Sequence, residues 1–273
     1  MGKTIKVACL GDVVGSAGEQ IFQKYATRIK QMYGVDVIIV NGENAAANGR
    51  GIAPKNLDLL RAAGADMVTG GNHSFQQREM LSVFNERTDV LRPLNFPAAC
   101  PGKGVGFVVK DGLKLAVINA QGRIYMHQQL DCPFRAIESV LTFVRAQTPI
   151  VLIDFHAEAS SEKIGLAHFL DGKVSAIVGT HTHVPTADER ILPGGTAFVT
   201  DLGMAGALSS MIGMKTDIVL TSLLTQMPAK FAVELRGPYV LSGVVIEIEK
   251  ATGRSVAIER LHIVDDELGA AHA

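Results

Sequence analysis

Asp12 stands two residues after an apolar run at 5–10, and Glu43-Asn44 follows a second run at 35–40. Asn72-His73 comes after residues 66–69, His156 after 150–155, and Thr180-His181-Thr182-His183 after 174–179. Short apolar runs of this kind read as buried strands, and ligands of open α/β sheets bind beyond the carboxyl ends of strands. Five segments would then deliver carboxylates, amides and imidazoles to one rim. A pair of adjacent divalent cations needs such a set. Their mutual repulsion calls for a bridging anion, and rigid strand ends can hold the remaining ligands. Mixed oxygen and imidazole donors suit manganese, iron or zinc better than magnesium or calcium. Glycines beside the ligands let the backbone turn sharply and leave room for a substrate. His181 and His183, two apart, would point the same way in an extended segment.

Each piece alone has a bland explanation. An aspartate after a strand is commonly a turn or cap residue, and Asn72 fits a turn as well. Glu43 alone would be a solvated carboxylate, His156 alone a satisfied or surface histidine, and His181-Thr182-His183 half-buried strand polarity. Convergence at equivalent topological positions is what favours a joint metal site.

The elements that must position these residues alternate along the chain. Besides the runs already given, residues 114–119 read as a strand. Helix-like segments fall at 18–33, 54–63, 77–86, 133–146, 161–170 and 217–226. Pro54 and Pro133 suit the first turn of a helix, and Gly34 and Gly64 the left-handed stop after one. Asp111-Gly112 between two apolar runs is a strong hairpin signal, and a second antiparallel pair flanks Thr252-Gly253. An α/β fold with mixed sheets follows. With no linker or repeat, a single domain over 1–265 is expected, followed by a loose tail over 266–273.

Composition sets the outer limits. The chain has 273 residues, 47% hydrophobic and 19% charged, with formal net charge -1. A balance so close to neutral gives no extended nucleic-acid footprint and no basic membrane face, but leaves room for a nucleotide or short RNA. The three cysteines, Cys9, Cys100 and Cys132, form neither a disulfide framework nor a CxxC metal motif. No stretch nears the roughly 18 apolar residues of a membrane span, and a soluble, cytoplasmic protein is expected. Residues 11–18 have G-x-x-x-G-x-x-G spacing, not the dinucleotide fingerprint, and no phosphate-binding P-loop occurs. The oligomeric state stays open, a homo-oligomer included.

Gly11-Asp12, Gly71-Asn72-His73 and Gly179-Thr180-His181-Thr182-His183 resemble the GD, GNH and GHTH blocks of calcineurin-like metallophosphoesterases, in that order. Two departures narrow the resemblance. Val14 stands where that superfamily usually has a histidine, and Glu43 where it has a bridging aspartate. Both are similar to the bacterial YmdB-like 2',3'-cyclic nucleotide phosphodiesterases, as are the blocks 41–45, 154–159 and 200–204. Ser74-Phe75 replaces the threonine and tryptophan of that subfamily, a change that bears on substrate packing.

The resemblance implies a four-layer α/β/β/α sandwich of two mixed sheets. It implies two divalent transition metals, iron or manganese first and zinc next. Asp12, Glu43, Asn44 and His183 would hold one metal, and Glu43, Asn72, His156 and His181 the other, with Glu43 bridging. Asn44 would supply the ligand lost at Val14. The implied activity is hydrolysis of phosphodiesters, 2',3'-cyclic nucleotides among them, by a metal-activated hydroxide with His73 as proton donor. The plainer role for His73 is to orient Asn72. Rival readings are a protein phosphatase or phosphomonoesterase on the same scaffold, since loops choose the substrate. A weakly catalytic RNA- or nucleotide-binding regulator is a rival of another class. The segment 121–133, with Tyr125, Met126, His127 and Cys132, fits a lid or interface loop as well as an ordinary connection.

Overall fold

The computed structural model describes residues 3–269. In chain order the elements begin with β1 (Thr4–Leu10), β2 (Asp12–Val13), α1 (Gly15–Tyr33), β3 (Val37–Asn41), α2 (Pro54–Ala63), β4 (Met67–Thr69) and α3 (Met80–Glu86). Then come β5 (Val105–Lys110), β6 (Leu113–Gln121), α4 (Pro133–Gln147), β7 (Val151–His156), α5 (Ser160–Leu170) and β8 (Ala176–Thr180). The last are β9 (Arg190–Ile191), β10 (Ala197–Val199), β11 (Met204–Ala207), α6 (Thr216–Thr225), β12 (Tyr239–Glu249) and β13 (Ser255–Asp265).

Two mixed sheets form. The first runs β2-β11-β12-β1-β3-β4, with β13 on the other side of β12, and the second runs β5-β6-β7-β8-β10-β9. In the first, β1, β3 and β4 are parallel and β12 is antiparallel to β1. In the second, β6, β7, β8 and β10 are parallel and β5 is antiparallel to β6.

Side-chain alternation explains why the sheets stack. Ala8, Leu10, Ile38 and Val40 pack with Ile21 and Phe22 of α1 and with Leu57 and Leu60 of α2. Their neighbours Val7, Cys9, Val37 and Ile39 point the other way, against Leu115, Val117, Leu152 and Val178 of the second sheet. Ile118, Ile153 and Phe155 in turn meet Ile137, Leu141, Leu166 and Leu170 of α4 and α5. Strands buried on both faces read as continuous apolar runs, which is the form these take in the sequence. The result is the four-layer α/β/β/α sandwich of the resemblance.

The Asp111-Gly112 hairpin joins β5 to β6 with positive φ at both residues, 50° and 75°. Both central positions of a two-residue type I′ turn demand this. Gly34 ends α1 at φ 65°, where it costs no Cβ clash. Of the tail beyond Asp265, residues 266–269 turn back, with the Glu267 and Leu268 amides on Asp265 Oδ1. Leu268 packs on the helix-side core, and residues 270–273 lie outside the described residues. No helix among the described residues is long and apolar enough to cross a membrane.

Candidate metal centre

The carboxyl ends of β1, β3 and β4 from the first sheet meet those of β7 and β8 from the second on one rim. Hydrogen bonds stitch the sheets together just beneath it. Asn41, closing β3, donates to Asp154 Oδ2 on β7 at 3.0 Å, and Asn119 on β6 accepts the Gly70 amide at 3.1 Å. Asp154 also accepts the Thr69 hydroxyl, and the Thr180 hydroxyl at 2.7 Å. Burial lifts the Asp154 pKa to about 6 while those three donors hold it down.

Four of the seven expected ligands converge on one point. His156 Nε2 lies 2.9 Å from Glu43 Oε1 and 3.0 Å from both Asn72 Oδ1 and His181 Nδ1. The protons of this cluster can be assigned. Thr180 gives its hydroxyl proton to Asp154, so its oxygen accepts from His156 Nδ1 at 2.9 Å. That fixes the neutral tautomer and leaves a lone pair on Nε2. His181 Nε2 lies 3.2 Å from Glu158, so Nδ1 carries its lone pair. Burial favours the neutral form of both rings, lowering His156 well below the ordinary histidine range and His181 to about 3.

Three donor atoms therefore stand near 3 Å from the lone pair of His156 Nε2. Metal–ligand bonds of about 2.1 Å at right angles separate neighbouring ligands by roughly 3 Å. The cluster matches the edge of a coordination polyhedron, and a transition metal fits it. Gly71 makes the room: a Cβ there would collide with Glu43 Oε2 and the His156 ring.

The other three residues form a looser group. Asn44 Oδ1 lies 3.3 Å from His183 Nε2, and Asp12 Oδ1 lies 3.9 Å from the same nitrogen. Asn44 is aimed by its amide, which donates to Gly49 O at 2.8 Å, and His183 by Nδ1, which donates to Ile212 O at 2.8 Å. Asp12 is fully buried. Its Oδ2 accepts the His181 amide at 3.2 Å, while Oδ1 has no hydrogen-bond partner among the described residues. Burial raises the Asp12 pKa well above the carboxylate range, and the charges of Glu43, Asp201 and Asp154 raise it further. Acidic groups this close call for cations between them. Glu43 belongs to the first group, and its other oxygen accepts the His73 amide at 3.0 Å. Its pKa is raised by burial.

Several expectations from sequence change here. His181 and His183 are not extended: β8 ends at Thr180, and both histidines have positive φ, 102° and 64°. Non-glycine residues hold that conformation only where surroundings over-determine it, commonly at functional sites. Their aim comes from this turn and from Asp201, which accepts the Thr182 amide and pairs with Lys163 at 2.7 Å, both side chains buried. Val14 is an apolar core residue bridged to Asn44, with Met204, Val233 and Val240 around it. Phe75 turns away and packs edge-on against Phe84 and Phe96, while Ser74 Oγ closes the turn on Gly71. Gln128, in the 121–133 segment, donates to Asn72 O at 3.1 Å. Sequence reasoning gave no role to Asp154, Thr180, Glu158 or Asp201. Asp154 left the one usable signal, a carboxylate inside an otherwise apolar strand.

Comparisons with known proteins show the family to which this fold belongs. A sequence model of the YmdB-like protein family matches residues 8–261. The chain belongs to the YmdB-like family. It is 43% identical over 264 residues to the 2',3'-cyclic-nucleotide 2'-phosphodiesterase of Bacillus subtilis (strain 168), covering 97% of this chain and 99% of that one. Among solved structures, a novel phosphatase from Mycoplasma pneumoniae superposes with TM-score 0.90 at 33% identity, covering 97% of this chain and 95% of that one. A hypothetical protein from Thermus thermophilus gives TM-score 0.87 at 39% identity over 96% of this chain and 100% of that one.

Proposed function

We propose that this chain is a dinuclear-metal phosphodiesterase of 2',3'-cyclic nucleotides, working as a single catalytic domain. The observation that carries the reading is the convergence of Glu43, Asn72 and His181 on His156 Nε2, at 2.9–3.0 Å. The name of the Bacillus subtilis relative supports the substrate class. Glu43, Asn72, His156 and His181 would hold one ion, and Asp12, Asn44 and His183 with Glu43 the other. Iron or manganese suits this donor set, with zinc third. When bound, such ions polarise phosphoryl oxygens and lower the pKa of water towards neutrality.

The chain's own residues do the rest. Asp154, through Thr180, keeps His156 Nδ1 protonated and its Nε2 free, and Glu158 keeps His181 Nε2 protonated and its Nδ1 free. We assign Glu43 the bridge between the two ions, and its Oε2 fixes the His73 backbone. We assign His73 to act on the leaving oxygen. Burial lowers its pKa, so near neutral pH it is an uncharged imidazole able to donate an N–H to a ribose oxygen leaving phosphorus. Its Nδ1 is buried without a partner. Three unpaired cysteines accord with a reducing compartment, so we place the protein in the cytoplasm.

Hydrolysis of bis-para-nitrophenyl phosphate and of 2',3'-cyclic adenosine monophosphate, set against para-nitrophenyl phosphate, tests the reading. Diester turnover should exceed monoester turnover, vanish with chelator and return with manganese. Preference for the monoester would replace the diesterase with a phosphomonoesterase.

A further inference from the structure

On the flank of the molecule a cavity of about 790 Å³ opens between the 87–107 segment and α4. It falls within the roughly 300–1,000 Å³ typical of small-molecule sites. Leu91, Phe96, Phe107 and Phe143 give it apolar walls, and Phe143 holds its ring 62% exposed on α4. None of the seven metal-site residues lines it.

Arg92 lines the same cavity and is only 6% exposed. Its Nη1 donates to the carbonyls of Pro93 and Leu94 at 2.8 and 3.1 Å. Its Nε is fully buried with no partner, and Nη2 makes no hydrogen bond among the described residues. No carboxylate among the described residues forms an ion pair with it. A buried cation with no counter-ion is costly, so buried charges are ordinarily paired. At the rim Lys103 adds a second cation, Arg87 is already paired with Asp58 and Asp89, and Asp131 is the single carboxylate of the lining. An unpartnered guanidinium edge in a cavity that three phenylalanines also line combines a planar anion receptor with an apolar slot.

We propose that this cavity is a second binding site, for a small organic anion with an apolar, preferably aromatic, body and one carboxylate, sulfonate or phosphate on Arg92. The anionic end supplies the missing counter-charge, and the apolar body covers the phenylalanine faces. A nucleotide would leave its polar base unpaired against those walls, which separates this ligand from the substrate of the metal centre.

The test uses two dyes of similar shape on the metal-loaded protein: anionic 1-anilinonaphthalene-8-sulfonate and neutral N-phenyl-1-naphthylamine. One anionic dye should bind per chain, followed by fluorescence. Arg92→Gln should weaken it about 10- to 100-fold, the range of a hydrogen bond to a charged group, and leave the neutral dye nearly unchanged. Ala98→Trp, on an exposed loop position of the lining, should abolish both. Leu224→Glu, on the exposed helix α6, should alter neither. Wild-type protein that binds no dye overturns the site, as does binding that survives Ala98→Trp. Equal weakening of both dyes by Arg92→Gln overturns the charge recognition. Should Arg92→Gln fail to fold, Ala98→Trp decides alone.

Discussion

The two halves of the candidate centre are built differently. Around His156, both imidazoles are aimed by groups on or next to strands: Asp154 on β7, Thr180 closing β8, and Glu158 just beyond β7. Three donor atoms there already stand 2.9–3.0 Å from His156 Nε2. Around His183 the aim comes from loops. Ile212, itself at φ 50°, supplies a carbonyl, Gly49 supplies another, and donor separations widen to 3.3 and 3.9 Å. The loop carrying Ile212 leads into α6, none of whose residues is buried. A site on strands is preorganised, whereas one on loops must be completed by what it binds. The His156 half should therefore hold its ion the more tightly.

The largest effect should come from Glu43, the residue proposed to bridge the halves. Glu43→Gln keeps the size of the side chain but deletes the bridging charge. We expect loss of at least one metal equivalent and a fall in turnover of about 10⁴-fold or more, since each ion contributes several kcal/mol. Normal turnover with both ions present would refute the bridge.

His73 belongs to neither half, which makes it the next probe. His73→Ala should keep the metal content and lower kcat about 10²–10⁴-fold, the usual size of acid catalysis. The loss should be smaller with a para-nitrophenolate leaving group than with a ribose alkoxide. An equal loss on both would assign His73 to orienting Asn72 instead.

Thr180→Val addresses the strand-built half alone. Without its hydroxyl, His156 loses the partner that fixes its tautomer, and affinity for the ion there should drop about 10- to 100-fold. Equilibrium dialysis reads this directly, and loss of the other ion first would reverse the comparison.

The smallest effect is in the unaltered protein. Graded chelation should remove the loop-held ion first, with the two steps separated by about tenfold in chelator, the lower end of what supporting contacts contribute. Simultaneous release would show that the loops are as well organised as the strands.

Much of this was legible in the sequence because the ligands sit at strand ends and strands buried on both faces read as apolar runs. The positions of Asp12, Glu43, Asn72 and His156 follow from that rule alone. The turn through His181 and His183 was not legible, since its positive φ values are imposed by Asp201 and by the bond from Asp12 to the His181 amide, both distant in sequence. Strands β2 and β11 escaped notice because they have two and four residues, and β11 pairs with β12 more than thirty residues on. Residues 77–79 were read as helix, but the helix starts at Met80, since the turn from Asn72 continues through Gln77. The Arg92 cavity left no trace in sequence, because an arginine's lack of a counter-ion is a property of packing.

Elemental analysis of the purified protein alongside its diesterase activity tests the central claim most directly. Two transition-metal equivalents per chain, with activity that falls as they are stripped and returns when they are restored, is the predicted result. Full activity in metal-free protein would contradict it.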